Sequence, residues 1–396
     1  VFSARLPWHV AENTLAARVE ERRERGDLLD LTESNPTRAA LPYPADALGA
    51  ALGRTDPARY EPAALGLPAA RAAVATAYAA AGTAVDPARV AITASSSESC
   101  SFLFKLLCDA GDAILIPEPS YPLHDYLVRL EGAVPIGYRL AFDGVWSIDF
   151  ASLEQALADA RARGARPRAI VVVNPNNPTG GFLRREEATR LSAIAAAAGL
   201  SIIADEVFAD YAFERDPSRV EMAATEPALT TAARVFSLGG LSKSCGLPHL
   251  KLGWIVAGGP DAEAAMAGLE LIADTYLSVA APVQQALPEL FTIGAGIRAG
   301  IAARVTANRT VLAQAMDGAP ACTLLPSEAG WAAILRVPAI RSDEAWAAAL
   351  VSETGVLVHP GYFFDLRGGT FLVVSLLPEP AIFVEAVRRL IGFLGT

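Results

Sequence analysis

The chain alternates short, continuously apolar runs with longer stretches in which apolar residues recur at helical spacing. The short runs are rich in Val and Ile and predict strands at 90–93, 112–116, 133–136, 169–173, 201–205, 234–238 and 252–256. The longer stretches are rich in Ala and Leu. They predict helices at 68–81, 97–108, 122–131, 151–163, 185–198 and 261–275, then a long helical stretch from about 283 to 316. This alternation predicts a three-layer α/β domain around a mainly parallel sheet. The last hundred residues read differently, as helices with a few strands at 331–336, 356–358 and 371–376. They predict a second, smaller α+β unit. The expected boundaries place a large domain at 42–285 and a small one built from both chain ends, 1–41 and 286–396.

In sheets of this kind ligands bind outside the carboxyl ends of the strands. That rule selects the loops ASSSES after 90–93, PEPSYP after 112–116 and NPNNPTG after 169–173. It also selects Asp205, which ends the strand 201–205, and the segment Gly239 to Lys243 after 234–238. The polar residues gather where a site is expected. By contrast, GAGIRAG at 294–300 has the wrong glycine spacing and no preceding strand, so it predicts no dinucleotide site.

Composition narrows the class. With 52% hydrophobic and 19% charged residues the chain reads as globular. No uninterrupted apolar run reaches the roughly eighteen residues of a membrane span, and the first residues do not read as a signal peptide. A net charge of −10 argues against nucleic-acid or anionic-membrane partners. Cys100, Cys108, Cys245 and Cys322 show no metal-ligand spacing, so the expectation is free thiols, no metal and a cytoplasmic setting. The chain has 33 Lys plus Arg, yet only Lys105, Lys243 and Lys251 are lysines. Arg replaces Lys readily on a solvated surface but cannot form an imine. A lysine that survives this bias therefore has a raised chance of being chemically required.

Lys243 lies in SLGGLSKSCGLP, just past a strand, where glycines allow tight turns beside a ligand. A confined lysine loses charge and becomes a nucleophile or base; the plain alternative is a surface lysine. Asp205 and Glu206 end an apolar strand, where a carboxylate needs a cationic or hydrogen-bonding partner, unless they serve only as a cap or ion pair. NPNNPTG is a stiffened turn that can present an asparagine amide to a ligand oxygen. Ser95, Ser96 and Ser97 stand at a helix start, which either caps the helix or binds an anion, with Lys251 as counter-charge. Tyr121 can stack on an aromatic ring or simply fill the core.

These pieces, in this order, resemble the class I/II aminotransferases, pyridoxal-phosphate (PLP) enzymes of fold type I in the aspartate aminotransferase superfamily. The similarity runs from about residue 30 to 380, and NPNNPTG, ADEV and LSK followed by LGW carry it. The resemblance implies a seven-stranded sheet in the PLP domain and a homodimer that shares its active sites. It implies that Lys243 carries the cofactor as a Schiff base and shuttles the substrate proton. Asp205 would pair with the pyridine nitrogen, Asn177 would donate to the phenolic oxygen, and Tyr121 would cover the ring. Ser95, Ser96, Ser97, Ser242 and Lys251 would hold the phosphate, with Tyr60 reaching the partner subunit's phosphate.

Three positions depart from the family pattern. Phe208 stands where a tyrosine usually bonds the phenolic oxygen. Lys251 replaces the phosphate-binding arginine, exchanging a bidentate fork for a point charge. Val373 stands where the substrate-carboxylate arginine is expected. Arg38, in TESNPTRAAL, is the first candidate to replace that arginine, and Arg367 the second; either could be a solvated arginine. The expected activity is transfer of an amino group between an amino acid and a 2-oxo acid by a ping-pong route in a biosynthetic process. A PLP-dependent lyase, a decarboxylase or a transaminase of an unusual amine would use the same Lys, Asp and Asn. A PLP-sensing regulator would need a DNA-binding extension before residue 30.

Overall fold

The structure is a computed structural model describing residues 2, 3, 5, 6, 14–54, 58 and 60–395. Its centre is an eight-stranded sheet. In chain order the strands are β1 (Val90–Thr93), β2 (Ala113–Glu118), β3 (Val134–Phe142), β4 (Trp146–Ile148), β5 (Pro167–Val173), β6 (Ser201–Asp205), β7 (Arg234–Gly240) and β8 (Gly253–Gly258). The spatial order is β1-β8-β7-β6-β5-β2-β3-β4. The run β7-β6-β5-β2-β3 is parallel, and β8 and β4 are antiparallel to their neighbours. Seven of these strands match the predicted runs; the eighth, β4, is a three-residue hairpin partner of β3. Its sequence, Trp-Ser-Ile, is too short to show a strand period.

The apolar runs are uniform because the central strands are covered on both faces. Along β5, Ala169 and Val171 face one core with Phe104 and Leu269, while Ile170 and Val172 face another with Leu153 and Leu191. The first face is covered by helices Ser96–Leu107 and Ala262–Tyr276, the second by Phe150–Ala162 and Arg185–Ala198. Local signals set the helix ends. Asp149 caps one start by accepting from the Ser152 amide at 3.0 Å, and Gly199 ends another at φ +67°.

The C-terminal region forms a four-stranded antiparallel sheet in the order Thr323–Leu324, Ala332–Val337, Thr370–Ser375, His359–Pro360. Leu372 and Val374 face the helices Asp343–Thr354 and Pro380–Leu394. Phe371 and Val373 face the opposite way, with Ile334, Phe364 and Trp146. The start of the chain is sewn into this unit. Leu29–Asp30 pairs in parallel with Val356–Leu357, and the Ser375 amide donates to the Leu31 carbonyl at 2.6 Å.

Helix Leu287–Ala315 runs for 29 residues, packs on helices Pro380–Leu394, Ala45–Gly53 and Pro68–Ala80, and contains GAGIRAG in its interior, away from any strand-to-helix turn. By length and mean composition it is long and apolar enough to cross a bilayer. Its polar residues serve the globular fold: Arg298 pairs with Asp210 at 2.9 Å, and the Asn308 amide donates to the carbonyls of Leu376 and Pro378.

Candidate active site

The sheet register brings the predicted loops to one edge. Thr93 pairs with Gly253, and Gly253 with Gly240. The end of β1, the start of β8 and the end of β7 are therefore side by side. Gly253 permits this closeness: a Cβ there would stand 2.8 Å from the Ser95 carbonyl carbon and 3.0 Å from the Ser96 nitrogen. Ser95 is the cap of helix Ser96–Leu107, its hydroxyl accepting from the Glu98 amide at 3.2 Å. Ser96 and Ser97 follow at the helix N-terminus, half-buried, with side chains that bond to nothing among the described residues. Ser242, one residue before Lys243, and exposed Lys251, two residues before Gly253, likewise have no side-chain partner among the described residues. Lys251 sits in a left-handed turn at φ +48°. Three hydroxyls, a lysine and free helix amides thus border one place, which is what a dianion requires.

Lys243 follows β7 in the short helix Leu241–Ser244. Burial pushes its ammonium down to about 8, against the opposing pull of Asp205. Its carbonyl accepts from the Tyr211 hydroxyl at 2.6 Å, and its Nζ lies 4.7 Å from the Trp331 ring centroid and 5.3 Å from that of Phe208. Asp205 ends β6, buried, with Oδ1 accepting from the Val207 amide at 3.2 Å. Its Oδ2 is 3.5 Å from Nε2 of His124. His124 is 4% exposed, and neither ring nitrogen has a hydrogen-bond partner among the described residues. The sequence reading missed His124. Its signal was position alone: one of four histidines, at the start of the helix after the PEPSYP loop. Glu206 turns away from Lys243. Its Oε1 accepts from the Ala223 amide at 2.8 Å, and burial pushes its carboxyl up to about 7.

The NPNNPTG loop separates scaffold from site. Asn174 donates to the Val220 carbonyl and accepts from the Leu183 amide; Asn176 donates to the Pro119 carbonyl and accepts from Thr179. Only the half-buried Asn177 leaves its side-chain amide without a partner among the described residues.

Across from this edge stands a wall contributed mostly by the C-terminal unit. Tyr121 is 45% exposed, and its ring lies 6.3 Å from both Phe363 and Phe364. His359 stacks on Phe363 at 4.8 Å. Val373, at 1% exposure, lies opposite His359 and Ile334 in the ladder. Arg367 sits on the surface, paired with Glu118 at 2.9 Å. Arg38 has a side chain 75% exposed and an ion pair to Glu33 at 3.5 Å. Its loop is tied to the strand of Val373, because the Ser375 hydroxyl donates to the Glu33 carbonyl at 2.6 Å. Tyr60 is 76% exposed, on the outside of this protomer.

A half-buried lysine that gives up its proton more readily than a solvated one, beside a buried carboxylate, with a free amide and an anion cradle on the same sheet edge, is equipment for holding a phosphorylated aldehyde. Residues 27–381 match the family described as aminotransferase class I and II. The chain belongs to that family. A valine–pyruvate aminotransferase of Mycobacterium tuberculosis is 28% identical over 393 residues, covering 97% of this chain and 95% of that one. A glutamate-pyruvate aminotransferase of Haemophilus influenzae is 27% identical over 309 residues, covering 76% and 73%. Among solved structures, an alanine aminotransferase of Pyrococcus furiosus superposes with a TM-score of 0.86 at 23% identity, covering 100% of this chain and 99% of that one. The enzyme is a PLP-dependent transaminase of fold type I. Its own residues fit the cofactor: the buried polar atoms without partners include the Ser120 hydroxyl, both nitrogens of His124 and the Trp331 indole, and the last two lie beside Asp205 and Lys243.

Proposed function

We propose that this aminotransferase exchanges the amino group of a neutral amino acid, of the alanine or valine kind, with a short 2-oxo acid such as pyruvate. The observation that carries the reading is Lys243 just past the end of β7, across from the buried Asp205 carboxylate, its ammonium lowered by burial to about 8. The names of the relatives support the substrate class. PLP, when bound, supplies an electron sink for the charge left on the substrate Cα. Lys243 holds it and then moves the proton at that carbon. Asp205 keeps the ring nitrogen protonated and His124 orients Asp205. Asn177 would donate to the phenolic oxygen, and Tyr121 would cover the ring. Ser95, Ser96, Ser97, Ser242 and Lys251 receive the phosphate. Arg38 leaves Glu33 to pair with the substrate carboxylate, with Arg367 as the weaker candidate.

The two halves of the reaction alternate in a ping-pong cycle, in a cytoplasmic homodimer where Tyr60 reaches the partner's phosphate. The test is half-reaction spectroscopy of the holoenzyme against a panel of amino acids and amines. Alanine and valine should convert the bound cofactor to its amine form. Conversion only by amines that lack a carboxylate would sink the substrate reading. Release of carbon dioxide or an eliminated group would replace transamination by decarboxylation or elimination.

A further inference from the structure

Trp331 is 4% exposed, and its indole N–H has no acceptor among the described residues. Of the other described tryptophans, Trp254 donates to the Tyr78 hydroxyl at 3.1 Å and Trp346 to the Pro338 carbonyl at 3.0 Å, while Trp146 also lacks an acceptor; Trp331 alone of the two unpartnered indoles stands beside Lys243. A buried N–H without a partner is a standing cost to the fold, and a bound molecule that brings an acceptor removes it. The indole is held in place. Its ring meets Phe208 and Tyr211 edge-on at 5.2 and 5.0 Å. Its carbonyl accepts from the Leu376 amide at 2.7 Å, and the preceding Gly330 amide donates to the Tyr211 carbonyl at 3.1 Å.

The place matters as much as the missing partner. The ring centroid is 4.7 Å from Lys243 Nζ, so whatever joins that amine lies against the indole. Phe208, which touches the same ring, carries no donor. A phenolic oxygen or a carboxylate brought to Lys243 would be short of hydrogen bonds on this side unless the indole supplies one.

We propose that Trp331 is a ligand-binding residue of the active site, its indole N–H donating to an anionic oxygen of the molecule held at Lys243. The acceptor is an anionic oxygen from one of two sources, the phenolic oxygen of PLP or a carboxylate oxygen of the substrate. The proposal rests on Lys243 being the cofactor lysine.

The first test follows the indole N–H resonances of nitrogen-15-labelled enzyme. PLP is added to the apoenzyme, and 2-methylalanine, an amino acid with no Cα proton to lose, is then added to the holoenzyme. One indole resonance should move downfield, at the first addition for a cofactor oxygen or at the second for a substrate oxygen. Trp331→Phe or Trp331→Tyr identifies it. No moving indole, or a moving one that belongs to another tryptophan, overturns the proposal without any need for a folded variant. The second test uses Trp331→Phe, which keeps an aromatic face toward Lys243 and removes only the donor. For the cofactor source, the pH midpoint of the bound chromophore should rise by about one unit, because the deprotonated oxygen loses a donor. For the substrate source, the midpoint should stay and KM for alanine should rise about tenfold at unchanged kcat. A wild-type midpoint together with a wild-type KM overturns it. Borohydride reduction and peptide mapping of the same holoenzyme show separately whether PLP is on Lys243.

Discussion

The two sides of the active site are built on different principles. The edge of the large sheet is made of short polar loops, each following a strand directly, and its functional groups stand within a few residues of a strand end. The opposing wall collects Trp331, His359, Phe363, Phe364 and Val373 from separate elements of the C-terminal unit. The edge is polar and has open hydrogen-bonding capacity; the wall is aromatic and apolar, with Arg38 and Arg367 paired at its margins. The edge is equipped for the cofactor, whose chemistry is common to many enzymes of this kind. On the function proposed above, the wall would face the part of the reaction that varies, the substrate.

Changes on the edge should therefore abolish chemistry, and changes on the wall should shift preference. The largest effect is expected from Lys243→Arg, which keeps a positive charge but cannot form an imine; it should remove essentially all turnover. Borohydride reduction followed by peptide mapping should place PLP on Lys243 and not on Lys105 or Lys251. Label on either of those would remove the edge from its assigned role.

On the wall, Arg38→Ala should raise KM for both the amino acid and its oxo acid by roughly ten- to a hundredfold, the range for losing a charge-assisted pair of about 1.5–3 kcal/mol. Cofactor absorbance should be unaffected, and Arg367→Ala should do less. Wild-type kinetics for Arg38→Ala with every accepted amino acid would reject it as the carboxylate partner.

Two smaller effects sharpen the contrast. Only the neutral amine of Lys243 attacks an aldehyde, and burial brings its ammonium down to about 8. Uptake of PLP by the apoenzyme should accelerate as pH rises through about 8 and level off above it. Acceleration continuing toward pH 10 would mean that the amine is solvated. Phe208→Tyr adds a hydroxyl beside the same ring wall. Where that hydroxyl reaches the phenolic oxygen, it should lower the pH midpoint of the bound chromophore, since a donor favours the deprotonated form. An unchanged midpoint, with a structure showing the new hydroxyl at bonding distance, would contradict this.

The edge was readable in the sequence for a physical reason. Strand, turn and functional residue are contiguous, so LSK after a Val-Phe strand or NPNNPTG after AIVVV carries its own context. The long helix, the β5 and β6 strands and the position of Lys243 all follow from such local patterns. The wall was not readable in the same way. Trp331 and His124 come beside Lys243 and Asp205 only through the tertiary fold, and nothing in GWAAIL or PLHDY marks them. Arg38 could be named but not placed, because its ion pair with Glu33 depends on a 3₁₀ turn of three residues, Pro36–Arg38. The hairpin strand Trp146–Ile148 escaped because three residues carry no period.

Helix Leu287–Ala315 links the two sides. Near its start Gly294 lies flush on Cys245, where a Cβ would come within 2.6 Å of the sulfur, and Ile297 and Ile301 close on Gly246. These contacts are two and three residues from Lys243. Ten residues beyond Arg298, or about 15 Å along the axis, Asn308 grips the carbonyls of Leu376 and Pro378, just past the strand of Val373. One helix thus sets the spacing between the turn that carries Lys243 and the strand end beside Val373.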